Sequence, residues 1–158
     1  MHPDAETLLA EYPDIKMVEA FITDCNGAAR GKWLPIEKLS ALLSAGIKLP
    51  KSAIAQDAWG RDVPSVALDN GDSDGWCQAI PGSLKPVLGS HSVDQAQVVL
   101  TMFKDNGSPL LSDPRQVLAH VTQALETKGF YPRVAIELEF NLFDRQTAGQ
   151  SLRDALPA

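Results

Sequence analysis

Alternating hydrophobic and polar residues predict β-strands at three places along the chain. Residues 17–23 alternate, the following Asn26-Gly27 pair is typical of a tight hairpin turn, and residues 28–34 can return as the partner strand. Residues 96–103 form a third β-rich run. The pattern therefore predicts a first β-hairpin and a separate, later strand.

A helix is predicted directly after the hairpin. Pro35 suits the first helical position, and Gly46 stands just past the end of the apolar pattern. The residues that share one helical face are Ile36, Leu39, Leu42 and Leu43. This amphipathic helix is expected to cross the hairpin. Residues 47–88 are rich in Gly, Pro, Asp and Ser, which is typical of long functional loops.

A second helix and a last strand are predicted in the C-terminal third of the chain. Ser112 or Asp113 can cap a helix that opens with Pro114 and that Gly129 ends. The apolar run at residues 134–143 predicts a strand. One helix and one strand cannot bury two apolar faces by themselves. This unit is therefore predicted to be incomplete, with its partners in the rest of a larger protein or in another chain.

Glu137 and Glu139 lie within this last predicted strand. Side chains alternate along a strand, so the two carboxylates would share one face, with Cα atoms about 7 Å apart. Ile136, Leu138 and Phe140 would then face a core. Two like charges so close repel each other unless a cation bridges them, and carboxylate oxygens suit Mg²⁺ or Mn²⁺. The alternative is an ordinary half-buried strand with a solvated face.

Composition and charge exclude several classes of partner. The chain carries 14 basic and 20 acidic residues, a net charge of −6, and no basic cluster. Nucleic acid and anionic membranes are therefore not expected partners. The sequence shows neither a membrane-spanning run nor a leader peptide, which predicts a cytoplasmic protein. Cys25 and Cys77 are predicted to be small buried residues rather than a disulfide.

Three motifs stand in a specific order along the chain. They are Asp24-x-Asn26-Gly27-x-x-Arg30-Gly31-Lys32, Asp113-Pro114-Arg115, and Gly129-Phe130-Tyr131 leading into Glu137-Leu138-Glu139-Phe140. Together they resemble the N-terminal part of the glutamine synthetase family, most closely its γ-glutamylpolyamine synthetase branch. The resemblance covers roughly residues 13–145. It implies an α+β fold with a lead-in at 1–12, a β-grasp domain at 13–108, and the truncated beginning of a catalytic domain at 109–158.

The resemblance also implies a reaction and an assembly. Family members are ATP-dependent ligases that join ammonia or an amine to the γ-carboxylate of glutamate through γ-glutamyl phosphate, with ATP as a substrate. The implied state is a homo-oligomer. Because the other metal ligands and the ATP cleft belong to sequence outside this chain, the chain alone is expected to be inactive. A rival of a different class is a non-catalytic β-grasp interaction module whose acidic strand is only surface.

The resemblance assigns roles to four acidic residues. Glu137 and Glu139 match the Glu-x-Glu pair that ligates divalent ions. Asp57 and Asp74 fall near the aspartates with which a β-grasp loop completes the amine site of the adjacent subunit. The loop at 56–60 departs from that of the ammonia-using bacterial enzymes, so the amine stays open between ammonia and a polyamine. The Arg and Lys of the first motif suggest phosphate binding, although turn chemistry favours a hairpin with a solvated basic edge.

Overall fold

A mixed sheet of six strands forms the centre of the fold. The computed structural model describes residues 1–63, 72–88 and 93–140. Within these ranges the helices and strands are, in chain order, α1 (Pro3–Glu11), β1 (Met17–Thr23), β2 (Ala29–Pro35), α2 (Leu39–Ala45), β3 (Ile47–Pro50), β4 (Asp74–Ala79), β5 (Lys85–Pro86), β6 (Gln95–Phe103) and α3 (Pro114–Glu126). Short 3₁₀ turns occupy Ile36–Lys38 and Lys51–Ile54.

The central strand of this sheet is β6. The strand order is β2-β1-β6-β4-β3, and β5 also pairs with β6. β1 runs parallel to the first half of β6, whereas β4 runs antiparallel to its second half. The predicted hairpin of β1 and β2 is confirmed, with the second strand one residue later than expected. The α+β, β-grasp-like architecture expected from the family resemblance is therefore present.

The core lies between the sheet and two helices. Alternate residues of β1 and β6 point into it, as the period of two in a strand requires. α2 adds Leu39 and Leu42, and α1, at the predicted lead-in, adds Ala5 and Leu8. The sheet residues with no exposed surface are Val18, Ala20, Ile22, Cys77, Ala96, Val98, Leu100 and Met102. The helices thus cover the apolar face that the alternating strands present.

The ends of the helices follow local sequence signals, with one correction. Pro35 is the last residue of β2, a 3₁₀ turn begins at Ile36 and α2 begins only at Leu39, so the predicted helix start at Pro35 is wrong by four residues. Gly46 ends α2 with φ 70°, a conformation that glycine adopts without a Cβ penalty. At α3, Asp113 rather than Ser112 is the cap, and Pro114 is the first helical residue. No helix in the described parts of the chain is long and apolar enough to cross a membrane.

Of the strand predicted at residues 134–143, the described part, residues 134–140, forms no strand. Residues 131–140 contain neither helix nor strand, and residues 141–143 lie outside the described ranges, as does the rest of the chain to 158. Ile136, Leu138 and Phe140 are 86, 81 and 75% exposed, so the prediction that they face a core is wrong for this chain. A strand needs a hydrogen-bonded neighbour, and no described residue pairs with this segment.

The two cysteines differ in environment. Cys77 is buried as predicted, and burial raises the pKa of its thiol to about 12. Cys25 is exposed in the hairpin turn, so the prediction of a buried residue is wrong there. Turns lie at the protein surface because their backbone polar groups need contact with water, and Cys25 is exposed because it is part of this turn.

Candidate functional site

The Glu137 and Glu139 carboxylates lie on the exposed segment that follows α3. Both residues are exposed, and neither forms an ion pair or a hydrogen bond with another described residue. Within residues 1–63, 72–88 and 93–140, no group of three His, Cys, Asp or Glu side chains could hold a metal ion. These residues therefore do not complete a divalent-ion site, because Mg²⁺ wants about six oxygen ligands, of which this pair supplies at most a part.

Asp24 organises the first sequence motif. Its side chain is fully buried, and its Oδ1 accepts hydrogen bonds from the Asn26 and Ala28 backbone N–H groups, each at 2.8 Å. Its Oδ2 accepts from Arg30 Nε at 3.0 Å. Burial opposes the charged form, but the Ala28 N–H, the Arg30 guanidinium and the Asn26 N–H outweigh it and lower the pKa of Asp24. The carboxylate is thus the internal support of the turn.

The rest of this motif has a structural explanation as well. A Cβ at Gly31 would overlap the backbone carbonyl of Ala20 on the neighbouring strand, so only glycine fits there. Lys32 Nζ donates to the Lys48 carbonyl at 3.3 Å. Arg30 forms an ion pair with Asp24, so both Arg30 and Lys32 contact groups of the hairpin or of the neighbouring strand edge. This arrangement favours the solvated hairpin edge over the phosphate-binding alternative.

Asn26 joins the hairpin turn to the loop that carries Asp57. Its Nδ2 donates to the Gln56 carbonyl at 2.7 Å and to the Asp57 carbonyl at 3.2 Å. The Cys25 backbone N–H also donates to the Ile54 carbonyl at 3.2 Å. The first motif and the loop at 56–62 therefore form one local unit, a long-range link that the sequence did not reveal.

The Asp57 carboxylate is engaged on both oxygens. Oδ1 accepts from the Trp59 and Arg61 backbone N–H groups, each at 2.9 Å, and Oδ2 accepts from Arg61 Nε at 2.9 Å. The Arg61 guanidinium carbon lies 5.2 Å from the centroid of the Trp59 ring. The Arg61 N–H, then the Trp59 N–H and the Arg61 side chain, lower the pKa of Asp57, and together they outweigh burial, which raises it. Asp57 is therefore ionised at neutral pH.

Asp74 has different surroundings. It is the first residue of β4, pairs with Pro50 in the sheet, and is exposed. Its carboxylate has no hydrogen-bond partner or ion-pair partner among the residues that the structure describes. The nearby Asp72, which the sequence did not single out, accepts from the Ser52 N–H at 3.2 Å and from Ser52 Oγ at 2.8 Å. Pro50, the partner of Asp74 in the sheet, directly precedes the segment at 51–56, and Asp57 directly follows it. No hydrogen bond or ion pair joins the Asp74 and Asp57 side chains.

Asp113 fastens α3 to the sheet. Its Oδ1 caps the helix by accepting from the Arg115 N–H at 2.8 Å. Its Oδ2 accepts from Thr101 Oγ1 at 2.8 Å and from the Met102 N–H at 2.6 Å, both on β6. Gln116 Nε2 also donates to Thr101 Oγ1 at 2.9 Å. The second motif is therefore both a helix cap and a bridge to the central strand.

Beyond this first turn, much of the apolar face of α3 is exposed in the part of the chain that the structure describes. Val117, Leu118 and Val121 are exposed, and an open groove of about 800 Å³ lies between α3 and strands β4 and β6. Further exposed apolar side chains follow on the segment after the helix, namely Phe130, Tyr131, Val134, Ile136, Leu138 and Phe140. So much exposed apolar surface is typical of a surface that another element covers. The incompleteness of the unit that begins at residue 109 stays a prediction.

Comparisons of sequence identify relatives of the chain. It is 37% identical over 145 residues to γ-glutamylputrescine synthetase PuuA of Escherichia coli K12, which covers 90% of this chain and 30% of that protein. It is 29% identical over 131 residues to glutamine synthetase of Pyrococcus furiosus, covering 83% of this chain and 27% of that protein. The chain spans 30% or less of the length of these relatives. No protein-family model matches it.

Comparisons of structure identify the fold. A crystal structure described as a novel glutamine synthase homolog matches with a TM-score of 0.64 and 20% identity, over 86% of this chain and 36% of that chain. A GmaS/ADP complex matches with a TM-score of 0.62 and 19% identity, over 81% of this chain and 26% of that chain. At these identities the likeness concerns the fold, and it confirms the β-grasp-like domain of glutamine synthetases.

Proposed function

We propose that this chain, which is homologous to members of the glutamine synthetase family, forms the N-terminal part of an ATP-dependent ligase. The ligase would join ammonia or an amine to the γ-carboxylate of glutamate. The observation that carries this proposal is the 37% identity to γ-glutamylputrescine synthetase over 145 residues, since this match spans 90% of the chain. The fold supports it, because the structural neighbours include glutamine synthetases.

The proposed reaction has two steps. The terminal phosphoryl group of ATP passes to a γ-carboxylate oxygen of glutamate, which yields γ-glutamyl phosphate and ADP. The amine nitrogen then attacks the acyl carbon, the C–O bond to phosphate breaks, and the nitrogen loses a proton as the amide forms. Phosphate is a far better leaving group than the hydroxide that direct attack on a carboxylate would expel. Glutamate, ATP and the amine are therefore the proposed substrates.

Glu137 and Glu139 are proposed as ligands of Mg²⁺ or Mn²⁺ in this enzyme. Such an ion neutralises charge on a transferring phosphoryl group. The described residues do not complete its site, so other parts of the protein would supply the remaining ligands. The exposure of both carboxylates supports this proposal, because ligands to a shared ion must be accessible from the side that completes the site.

Asp57 and Asp74 are proposed to serve the amine site of an adjacent subunit in a homo-oligomer. The exposed Asp74 carboxylate suits direct contact with a cationic amine, since no described residue neutralises it. Asp57 is already engaged by Arg61, so its contribution has to be of another kind. The cytoplasm, where ATP and glutamate are abundant, is the proposed compartment.

The proposed function is tested by expressing the protein that the complete reading frame encodes. The assay measures ADP release and γ-glutamyl amide formation from glutamate, ATP and Mg²⁺ with ammonia, putrescine or ethanolamine. We expect product with at least one of these amines, and the one with the highest kcat/KM identifies the acceptor. A folded protein that is inactive with all of them would favour the alternative, a non-catalytic β-grasp interaction module.

The same assay applies to the present chain of 158 residues. We expect no turnover, because catalysis needs the electrostatic stabilisation that a completed site supplies. A chain with both Glu137→Gln and Glu139→Gln is the matched control for contaminating host enzyme. Turnover by the unmodified chain that the double variant lacks would contradict the need for further ligands.

A further inference from the structure

The loop at 56–62 holds an exposed aromatic ring and a cation in one fixed arrangement. Trp59 is 80% exposed, and the guanidinium of Arg61 lies over its ring. We propose that Asp57 is a positioning residue that holds Arg61 and Trp59 in this arrangement, and that it influences the amine site through them instead of contacting the amine. The amine-site role rests on the proposed ligase function. The bracing of the loop stands on the geometry alone.

The first argument is the occupation of the Asp57 carboxylate. A carboxylate has about four acceptor positions, and three are taken by the Trp59 N–H, the Arg61 N–H and Arg61 Nε. The ion pair with Arg61 also offsets part of the charge that would attract a cationic amine. An amine would have to displace Arg61 before it could use this carboxylate fully.

The second argument is the way in which the loop is fastened. Gln56 and Asp62 form a bridge across its base, with Gln56 Nε2 donating to Asp62 Oδ1 at 3.2 Å. Gly60, at φ 79°, makes the tight reversal, and its N–H donates to the Asp57 carbonyl at 2.9 Å. Asn26 fixes the same carbonyl from the hairpin. A loop tied at so many points presents its side chains in a set orientation.

The third argument is the composition of what the loop presents. Tryptophan and arginine are the residue types most enriched where protein surfaces make strong contacts. Arg61 and Trp59 project from the loop, whereas Asp57 lies beneath them as their hydrogen-bond acceptor. In an oligomer in which this loop faces the neighbouring subunit, the ring and the guanidinium make the contact. Asp57 sets their position.

The first experiment measures amide hydrogen exchange by NMR in this chain. We expect Asp57→Ala to accelerate exchange of the Trp59 and Arg61 amides by about fivefold or more, because both lose their acceptor. Asp105→Ala is the matched control, since it removes an exposed carboxylate outside this loop, and it should leave both rates nearly unchanged. Equal protection of the two amides in the wild type and in Asp57→Ala would overturn the bracing role.

The second experiment is a mutant cycle in the protein from the complete reading frame. Asp57→Ala and Arg61→Ala should each raise the KM for the amine, roughly fivefold, with a smaller change in kcat. If Asp57 acts through Arg61 and Trp59, adding Asp57→Ala to a variant that already carries Arg61→Ala and Trp59→Ala should cause no further loss. A full additional penalty from Asp57→Ala in that background would show direct contact with the amine and overturn the inference.

The two experiments separate the two proposals. A wild-type protein without ligase activity would remove the proposed function and, with it, the effect of Asp57 on an amine site. The exchange rates of Trp59 and Arg61 would still decide whether Asp57 braces the loop, because they need no substrate.

Discussion

Replacing Asp113 by alanine should loosen the attachment of α3 to the sheet. Asp113 is 1% exposed, and its carboxylate accepts from the Arg115 N–H, the Met102 N–H and Thr101 Oγ1. Loss of a helix cap costs about 1 kcal/mol. The Met102 N–H, left buried without its acceptor, adds about 1–3 kcal/mol. Thr101 keeps its contact with Gln116, so the total is about 2–4 kcal/mol, a large part of the roughly 5–15 kcal/mol that stabilises a domain.

Urea denaturation followed by circular dichroism measures this loss. With a slope of about 2 kcal/mol per molar urea, the midpoint for Asp113→Ala should fall by about 1–2 M. Asp113→Asn should lie in between, because asparagine still caps the helix but presents its amide group to one of the two β6 donors. Asp105→Ala, which removes a carboxylate with 78% exposure, is the control and should change stability by less than about 0.5 kcal/mol. A midpoint for Asp113→Ala equal to that of this control would refute the reasoning.

Two further predictions use the same unfolding assay. Gly31→Ala should destabilise the chain by about 3 kcal/mol or more, because the new Cβ meets the backbone of Ala20. Gly27→Ala is the control and should cost only about 1 kcal/mol, because Gly27 has φ 80° but open space around it. Equal losses of stability in the two variants would contradict the packing argument. The pKa of Asp24 is lowered by the Ala28 N–H and by Arg30 against the effect of burial, so its stabilisation is present above the unfolded pKa of about 3.9 and is lost as pH falls through the lower folded value. In Asp24→Asn the free energy of unfolding should therefore fall less steeply as the pH is lowered into the acid range. An unchanged slope would show that Asp24 does not contribute to this pH dependence.

Local signals in the sequence were sufficient for part of the fold, but they missed β3, β4 and β5, which lie within residues 47–88, where long loops were predicted. The Asn26-Gly27 turn, the caps of α2 and α3 and the alternation in β6 each depend on neighbours within a few residues, and all of them are present. The parallel pairing of β1 with β6 joins residues far apart in the chain, and no local pattern encodes it. The family resemblance predicted a β-grasp domain but no particular strand pairing.

The predicted strand at 134–143 shows the limit of a periodic pattern. Alternation records which side chains an element would bury, but the element itself forms only where a neighbouring strand satisfies its backbone. The exposed Ile136 and Leu138 illustrate the difference, since their pattern is that of a buried face and no described residue covers them.

The candidate site was predictable in part for a related reason. Glu137 and Glu139 were identified because their spacing is visible in the sequence, and their metal-binding role remains a prediction. The bonds from Asn26 to the Asp57 loop and from Asp113 to β6 were missed, since they depend on which segments the fold brings together. The ion pair between Asp57 and Arg61 could have been predicted from the sequence, because an acid and a base stand four residues apart in a glycine-containing loop.

Steady-state kinetics of Glu137→Gln and Glu139→Gln in the protein from the complete reading frame test the central claim most directly. Both side chains are exposed in this chain, so each substitution should change its unfolding free energy by less than about 0.5 kcal/mol. Loss of a charged metal ligand should nevertheless lower kcat/KM for ATP-dependent amide formation by about 100-fold or more. Gln variants that keep wild-type rates would show that the pair is ordinary solvated surface, and they would contradict the assignment of this segment to the active site.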